Sequence, residues 1–271
     1  MSDPYLQEFV DLAPPYRLGL HVYPDPGPAA PVVVIWPAMG TPARFYRPFA
    51  QALGAAGVAV VVADLRGTGT SVPAPSRADR YGYLDLASDV GAVLDALKPR
   101  LDGRRYYLLG HSLGGQVCAL HLALSAHDAG PAGLILTAVG LPYFRAYPGR
   151  RGLGVLALTQ AIAGTSLVLR YWPGWGFGGR GSRVVMRDWG YTARHGRFRP
   201  EWGADLRRVG TPVLAISLAE DRLTPAPTLD RLCAELTGAQ VERVHLDGQL
   251  DHFTWARTPE AVAQRVVAFV S

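Results

Sequence analysis

Cysteine and lysine are scarce in this chain. Its 271 residues hold two cysteines, Cys118 and Cys233, far apart and outside any C-x-x-C spacing. Such a pair cannot staple a small domain. It reads as free thiols in a reducing compartment, so a cytoplasmic location is expected. H-E-x-x-H is missing too, which leaves no metal centre and no cofactor to expect. Lys98 is the sole lysine, so the formal charge of +5 rests on arginine. Those arginines are scattered except between Arg145 and Arg199. There they read as a solvated face, with anionic substrates or membrane surfaces as the alternatives, and not as a nucleic-acid footprint. No low-complexity tract or internal repeat is visible. Residues 1–10 lack the basic-then-apolar order of a secretory signal. With 49% hydrophobic and 18% charged residues, the chain can fill one large domain, or a domain with an insertion.

Short apolar runs alternate with helical patterns. Strands are expected at 31–36, 58–63, 106–109, 132–139, 212–217 and 241–246, and helices at 44–56, 85–97, 227–236 and 259–270. Pro99 is expected to stop the second of these helices, and 16–23 to add an antiparallel edge strand. Strands that are apolar throughout and separated by helices imply an α/β protein, with a mostly parallel central sheet covered by helices on both faces. The rhythm breaks between 140 and 203. There 171–179 matches no regular element, and 152–169 runs eighteen residues without a charge, the least a membrane span requires. Thr159, Gln160, Gly164, Thr165 and Ser166 argue against a bilayer core, and a crossing here would part strands of one sheet. No transmembrane segment is therefore expected. The stretch reads as a buried or groove-lining helix, with shallow membrane contact as the alternative. The chain accordingly divides into a core, 1–139 and 204–271, and an inserted cap, 140–203.

Gly110-His111-Ser112-Leu113-Gly114 carries the chemistry. It follows an apolar, β-favouring run and precedes apolar residues at helical spacing. A strand turning through a glycine-flanked serine into a helix presents the hydroxyl above the sheet and aims the Leu113 N–H at a developing oxyanion. A serine hydroxyl needs a base within reach, and that base an orienting acid. Asp221, in the loop after 212–217, is the acid of choice, with Glu220 as its neighbour. His252, after the last strand, is the base of choice. His245 sits inside a strand, and His111 is too close to the serine to align with its hydroxyl. His21, His121 and His127 read as surface or packing groups, whereas His195 falls in the inserted segment and is placed to touch substrate. A second oxyanion donor is expected from the loop after Trp36. Pro37 has no N–H, which leaves Ala38 and Met39, with Met39 favoured.

These motifs, together with Asp64-Leu-Arg-Gly-Thr-Gly-Thr-Ser71, resemble the α/β-hydrolase superfamily, and in particular serine hydrolases of the monoglyceride-lipase and serine-aminopeptidase type. The resemblance covers about 1–140 and 204–271. It implies Ser112 as nucleophile, Asp221 as acid and His252 as base, a cap after the strand that follows the elbow, and a structural turn at 64–71. The departure is Pro37-Ala38, where many relatives have His-Gly. The expected activity is cleavage of small carboxylic esters with an apolar part. Amide or thioester cleavage and acyl transfer use the same three residues, and a non-catalytic binding protein is the alternative of another class. Ala38, His111, Tyr143, Phe144, Trp172, Trp175 and Phe177 are expected around the substrate.

Overall fold

A computed structural model describes residues 4–125 and 130–271. Its strands are β1 (Leu6–Asp11), β2 (Arg17–Val22), β3 (Val32–Trp36), β4 (Ala59–Ala63), β5 (Tyr106–His111), β6 (Gly133–Thr137), β7 (Tyr171–Trp172), β8 (Gly181–Ser182), β9 (Val213–Leu218) and β10 (Val241–Leu246). Its helices are α1 (Arg47–Ala55), α2 (Tyr83–Leu101), α3 (Leu113–Leu124), α4 (Arg151–Leu169), α5 (Arg183–His195), α6 (Ala226–Glu235) and α7 (Glu260–Val270). Eight strands form one sheet in the order β1-β2-β4-β3-β5-β6-β9-β10. β2 runs antiparallel to both of its neighbours, and the six strands from β4 to β10 are parallel.

The central strands β3, β4, β6 and β9 are buried at every position because both faces of the sheet are covered. Val32, Val34 and Trp36 of β3 point into one core layer, and Val33 and Ile35 into the other. The first layer receives Val90 and Val93 of α2, Val117 and Leu120 of α3, and Leu229 of α6. The second receives Phe49 and Leu53 of α1 and Val262 and Val266 of α7. Truncating any of these to alanine is expected to cost about 2–5 kcal/mol, except the valines, which cost less.

Two expectations change. The segment at 16–23 is a strand, but not the edge. β1 pairs outside it along six residues. β1 escaped notice because Leu6 and Phe9 lie exposed and give no clear alternation. Pro99 does not stop α2, which runs on to Leu101. The hydrogen bond that proline forgoes would reach the carbonyl of Asp95, an exposed residue where water can serve, while Leu97 and Leu101 anchor the last turn inside.

The segment between β6 and β9 leaves the sheet and returns to it. α4 and α5 pack on each other, and β7 pairs with β8 around a glycine-rich turn within 171–179, the stretch expected to be irregular. Met186 and Trp189 of α5 extend the first core layer. Hydrogen bonds to the core fasten the segment down. Asp188 Oδ2 accepts from the Tyr83 N–H at the start of α2, and Ser182 Oγ donates to the Tyr81 carbonyl. Tyr147 Oη donates to the Leu223 carbonyl and Arg151 to the Arg222 carbonyl.

Candidate active site

Ser112 stands alone between β5 and α3 with φ 52° and ψ −118°. A positive φ is costly for a residue with a Cβ, and such strain persists only where the surroundings enforce it. Here glycines enforce it. A Cβ at position 110 would fall 2.2 Å from Gly115 Cα, and one at 114 would fall 2.1 Å from the Trp36 carbonyl oxygen. The same closeness sets the elbow beside the loop after β3, since Trp36 pairs with Gly110 in register.

That loop treats Ala38 and Met39 differently. The Ala38 N–H donates to Tyr46 Oη at 2.9 Å, and Tyr46 Oη is hydrogen-bonded to His111 Nδ1 at 2.7 Å. The Ala38 donor is therefore spent inside the fold. Among the described residues, neither the Met39 nor the Leu113 N–H donates to a protein group. His111 is wholly buried beneath the site. Burial, reinforced by the His252 ring 4.7 Å away, pushes its pKa well down, so it stays neutral.

The loops after β9 and β10 bring the other two residues together across thirty-one positions. His252 Nδ1 lies 2.9 Å from Asp221 Oδ2. Asp221 Oδ2 also accepts from the Thr224 hydroxyl at 2.7 Å, and Oδ1 from the N–H groups of Leu223 and Thr224 at 2.8 and 2.9 Å. Burial opposes ionisation of Asp221. The hydrogen bond and charge of His252, aided by those of Thr224, outweigh it and hold the carboxyl below the usual range. In a neutral ring an ionised Asp221 favours the Nδ1–H tautomer, in which Nε2 is the acceptor. Ser112 and His252 line one cavity of about 650 Å³ together with Ala38, Met39 and Thr224. Among the described residues no hydrogen bond yet links the serine hydroxyl to the ring. Such contacts are commonly loose without substrate and tighten on binding.

The competing residues lie elsewhere. His245 faces Ser217 on the neighbouring strand, 2.7 Å away. His21 stacks on Tyr5, and His121 Nδ1 meets the Ala87 carbonyl. His195 lies against the Tyr191 ring at a tilt and is absent from the cavity wall, and His127 lies outside the described residues. Asp64 is buried and accepts from the N–H groups of Ala43 and Thr70, which makes 64–71 a structural clamp under the loop after β3.

The aromatic wall is corrected. Of the residues expected there, Phe177 lines the cavity. Tyr143, Phe144, Trp172 and Trp175 do not, and neither does His111. Trp172 is buried, its indole N–H donating to the Phe177 carbonyl, while Trp175 turns out to solvent. Trp189, Val155, Leu158 and Tyr147 take their place. Gln116 was missed as well. It lines the cavity, accepts from the Tyr83 hydroxyl and donates to the Gly140 carbonyl. Thr224 had a signal in the sequence, the Asp-x-x-Thr spacing of a capped turn; Tyr46 and Gln116 act through contacts no local pattern records.

The stretch expected to be a buried or groove-lining helix is α4. It lines the cavity through Val155, Leu158 and Thr159, but its wider side faces outward. The side it buries carries Gly152, Thr159, Ile162 and Ser166. The two hydroxyls tolerate burial by donating to carbonyls of their own helix.

Comparisons agree with this architecture. Residues 27–182 match the family described as serine aminopeptidase, S33. Rhodomycin D methylesterase DauP of Streptomyces sp. (strain C5) is 31% identical, with 72% of this chain and 76% of that protein covered. A protein of Variovorax paradoxus (strain S110) named "Putative carbamate hydrolase RutD" is 41% identical over 112 residues; that match spans 41% of this chain and only 39% of the relative. Among solved structures, a thermostable carboxyl esterase from Bacillus coagulans superposes with a TM-score of 0.72 at 15% identity, covering 99% and 98% of the two chains, which bears on the fold alone. The chain belongs to the serine aminopeptidase S33 family and is an α/β hydrolase.

Proposed function

We propose that this chain is a serine hydrolase that cleaves carboxylic esters with an apolar acyl or alcohol part through an acyl-enzyme. Ser112 Oγ attacks the ester carbonyl carbon while His252 Nε2 takes its proton. Asp221 holds the ring and stabilises the imidazolium. The oxyanion accepts hydrogen bonds from the Met39 and Leu113 N–H groups. Collapse of the adduct breaks the ester bond, and His252 protonates the departing alcohol. Water, deprotonated by the same nitrogen, then releases the acid and returns the proton to Ser112. Residues 140–203 serve as the cap, with Val155, Leu158, Phe177 and Trp189 receiving the apolar part.

One observation carries this reading: Ser112 and His252 face the same cavity, and the imidazole is already held by a buried, ionised Asp221. The lining also favours an ester over a peptide with a free amino terminus. Its charged members are Arg151 and Arg222, and among the described residues it includes no carboxylate to receive an ammonium group. A relative named as a methylesterase supports the same preference.

The test is a fluorophosphonate probe followed by peptide mapping, with a p-nitrophenyl ester series of rising chain length. The adduct is expected on Ser112. Ser112→Ala should lower kcat by at least about 10³-fold with an unchanged melting midpoint. A folded chain that takes no adduct at Ser112 refutes the proposal and supports a binding protein without chemistry.

A further inference from the structure

Helix α4 is built inside out for a protein surrounded by water. Leu153, Leu158, Leu167 and Val168 are 61%, 51%, 68% and 80% exposed, and Trp175, in the turn just beyond, is 66% exposed. The other exposed positions between 152 and 169 are Gly154, Ala157, Ala161 and Gly164, so this outer face carries no charge over about 25 Å of helix. Large apolar patches of this kind mark interaction sites.

Charge names the partner. Residues 140–203 contain ten arginines against Asp188 and Glu201, whereas the rest of the chain holds 17 basic and 20 acidic residues. The basic excess of the whole protein is therefore concentrated on this one segment. Arg150 and Arg151 stand at the start of α4, with Arg170 and Arg180 beyond its end, and all four are exposed. Arg180 lies over the Tyr171 ring. A second copy would bring two strongly cationic segments face to face, so self-association is disfavoured. An anionic surface with an apolar layer beneath satisfies both features, and exposed tryptophan and arginine at the ends of an apolar face suit a lipid interface.

We infer that α4 and the 171–180 turn dock this protein onto anionic lipid bilayers, with the apolar face in the acyl boundary and the flanking arginines among the phosphates. The helix lies on the bilayer and does not cross it. β6 and β9 on either side of the segment are paired in one sheet, Leu134 opposite Val213, so both ends remain on one side. Leu158 belongs to the docking face and to the cavity wall alike, so docking brings the cavity beside the lipid.

The test is flotation of the full chain with vesicles of phosphatidylcholine, alone or with phosphatidylglycerol. Binding to the mixed vesicles should be at least about tenfold tighter and should weaken as salt rises. Leu167→Glu with Val168→Glu should reduce it at least about tenfold. Neither residue lines the cavity. An unchanged melting midpoint shows that the double variant is folded. Arg170→Ser with Arg180→Ser should lower binding to mixed vesicles several-fold and leave the phosphatidylcholine result as it was. Ser112→Ala should bind as the wild type does, so the outcome is independent of the proposed chemistry. No binding to mixed vesicles, equal binding by the Leu167/Val168 variant, or a stable dimer in sedimentation that this variant dissolves, would each overturn the inference.

Discussion

Tyr46→Phe deletes a single oxygen atom, and the structure says what that atom holds. It accepts from the Ala38 N–H at 2.9 Å and is hydrogen-bonded to His111 Nδ1 at 2.7 Å. Tyr46 and His111 are fully buried and Ala38 nearly so, so water cannot step in. Each stranded group costs about 1–3 kcal/mol, and the pair should cost about 2–4 kcal/mol once local relaxation is allowed. For a chain of this size that is a fall of roughly 4–10 °C in melting midpoint. The rate should fall too. Losing a whole oxyanion donor costs about 10²–10³; loosening the loop that presents Met39 should lower kcat about tenfold while KM stays within about twofold. Tyr23→Phe is the matched control. The Tyr23 hydroxyl is buried and, among the described residues, has no hydrogen-bond partner. Removing it should leave the midpoint unchanged or higher, with kcat intact. The assay is differential scanning calorimetry beside p-nitrophenyl butyrate kinetics on both variants. If Tyr46→Phe retains wild-type stability and kcat, or Tyr23→Phe loses as much as Tyr46→Phe, the reasoning fails.

The remaining predictions concern glycine, charge and pH. Gly114→Ala places a Cβ 2.1 Å from the Trp36 oxygen and should abolish turnover, whereas Gly54→Ala, inside α1 with open space around it, should stabilise by about 0.5–1 kcal/mol in urea titration. Asp188→Ala leaves the Tyr83 N–H without its acceptor and removes the partner of Arg199 and Arg187. It should cost about 3–5 kcal/mol and sensitise residues 140–203 to limited proteolysis. His111 is held neutral in the fold but protonates near pH 6.5 when unfolded. Below that pH the unfolded chain binds the extra proton, so stability should fall with acidity by up to about 1.4 kcal/mol per unit until the depressed native pKa is reached. His111→Gln should flatten that slope by one proton, read from urea midpoints between pH 7.5 and 5; an unchanged slope would contradict the assignment.

What could be read beforehand was whatever depends on neighbours in the chain. The elbow at Ser112 needs glycine two positions away on either side. Asp221 and His252 follow the carboxyl ends of sheet strands, where sites of this architecture form. Exclusion of Pro37 narrowed the second donor to two residues. The reason to propose Met39 is Tyr46, eight residues past Ala38 and just ahead of α1, and nothing in the local pattern announces it. The aromatic wall failed for the same reason. Trp172, Trp175 and Phe177 sit within six residues, yet positive-φ glycines at 174, 176, 178 and 179 turn them in different directions. Hydrophobicity alone could not say that one would be buried, one exposed and one on the cavity. α4 misled because an uncharged helix is ordinarily an inner one.

The close approach of Gly40 and Gly178 ties two distant genetic regions together. A methyl group on Gly40 would meet the Gly178 carbonyl oxygen at 2.2 Å, and one on Gly178 would meet the Met39 sulfur at 2.8 Å. The proposed roof thus rests directly on the loop that carries Met39, the donor proposed above. Swapping 140–203 for the corresponding piece of a homologue is safe only if the graft carries glycine where it touches down. A chimera lacking it would keep every sheet residue and still lose its rim, so engineering of this enzyme's selectivity by roof exchange begins at position 178.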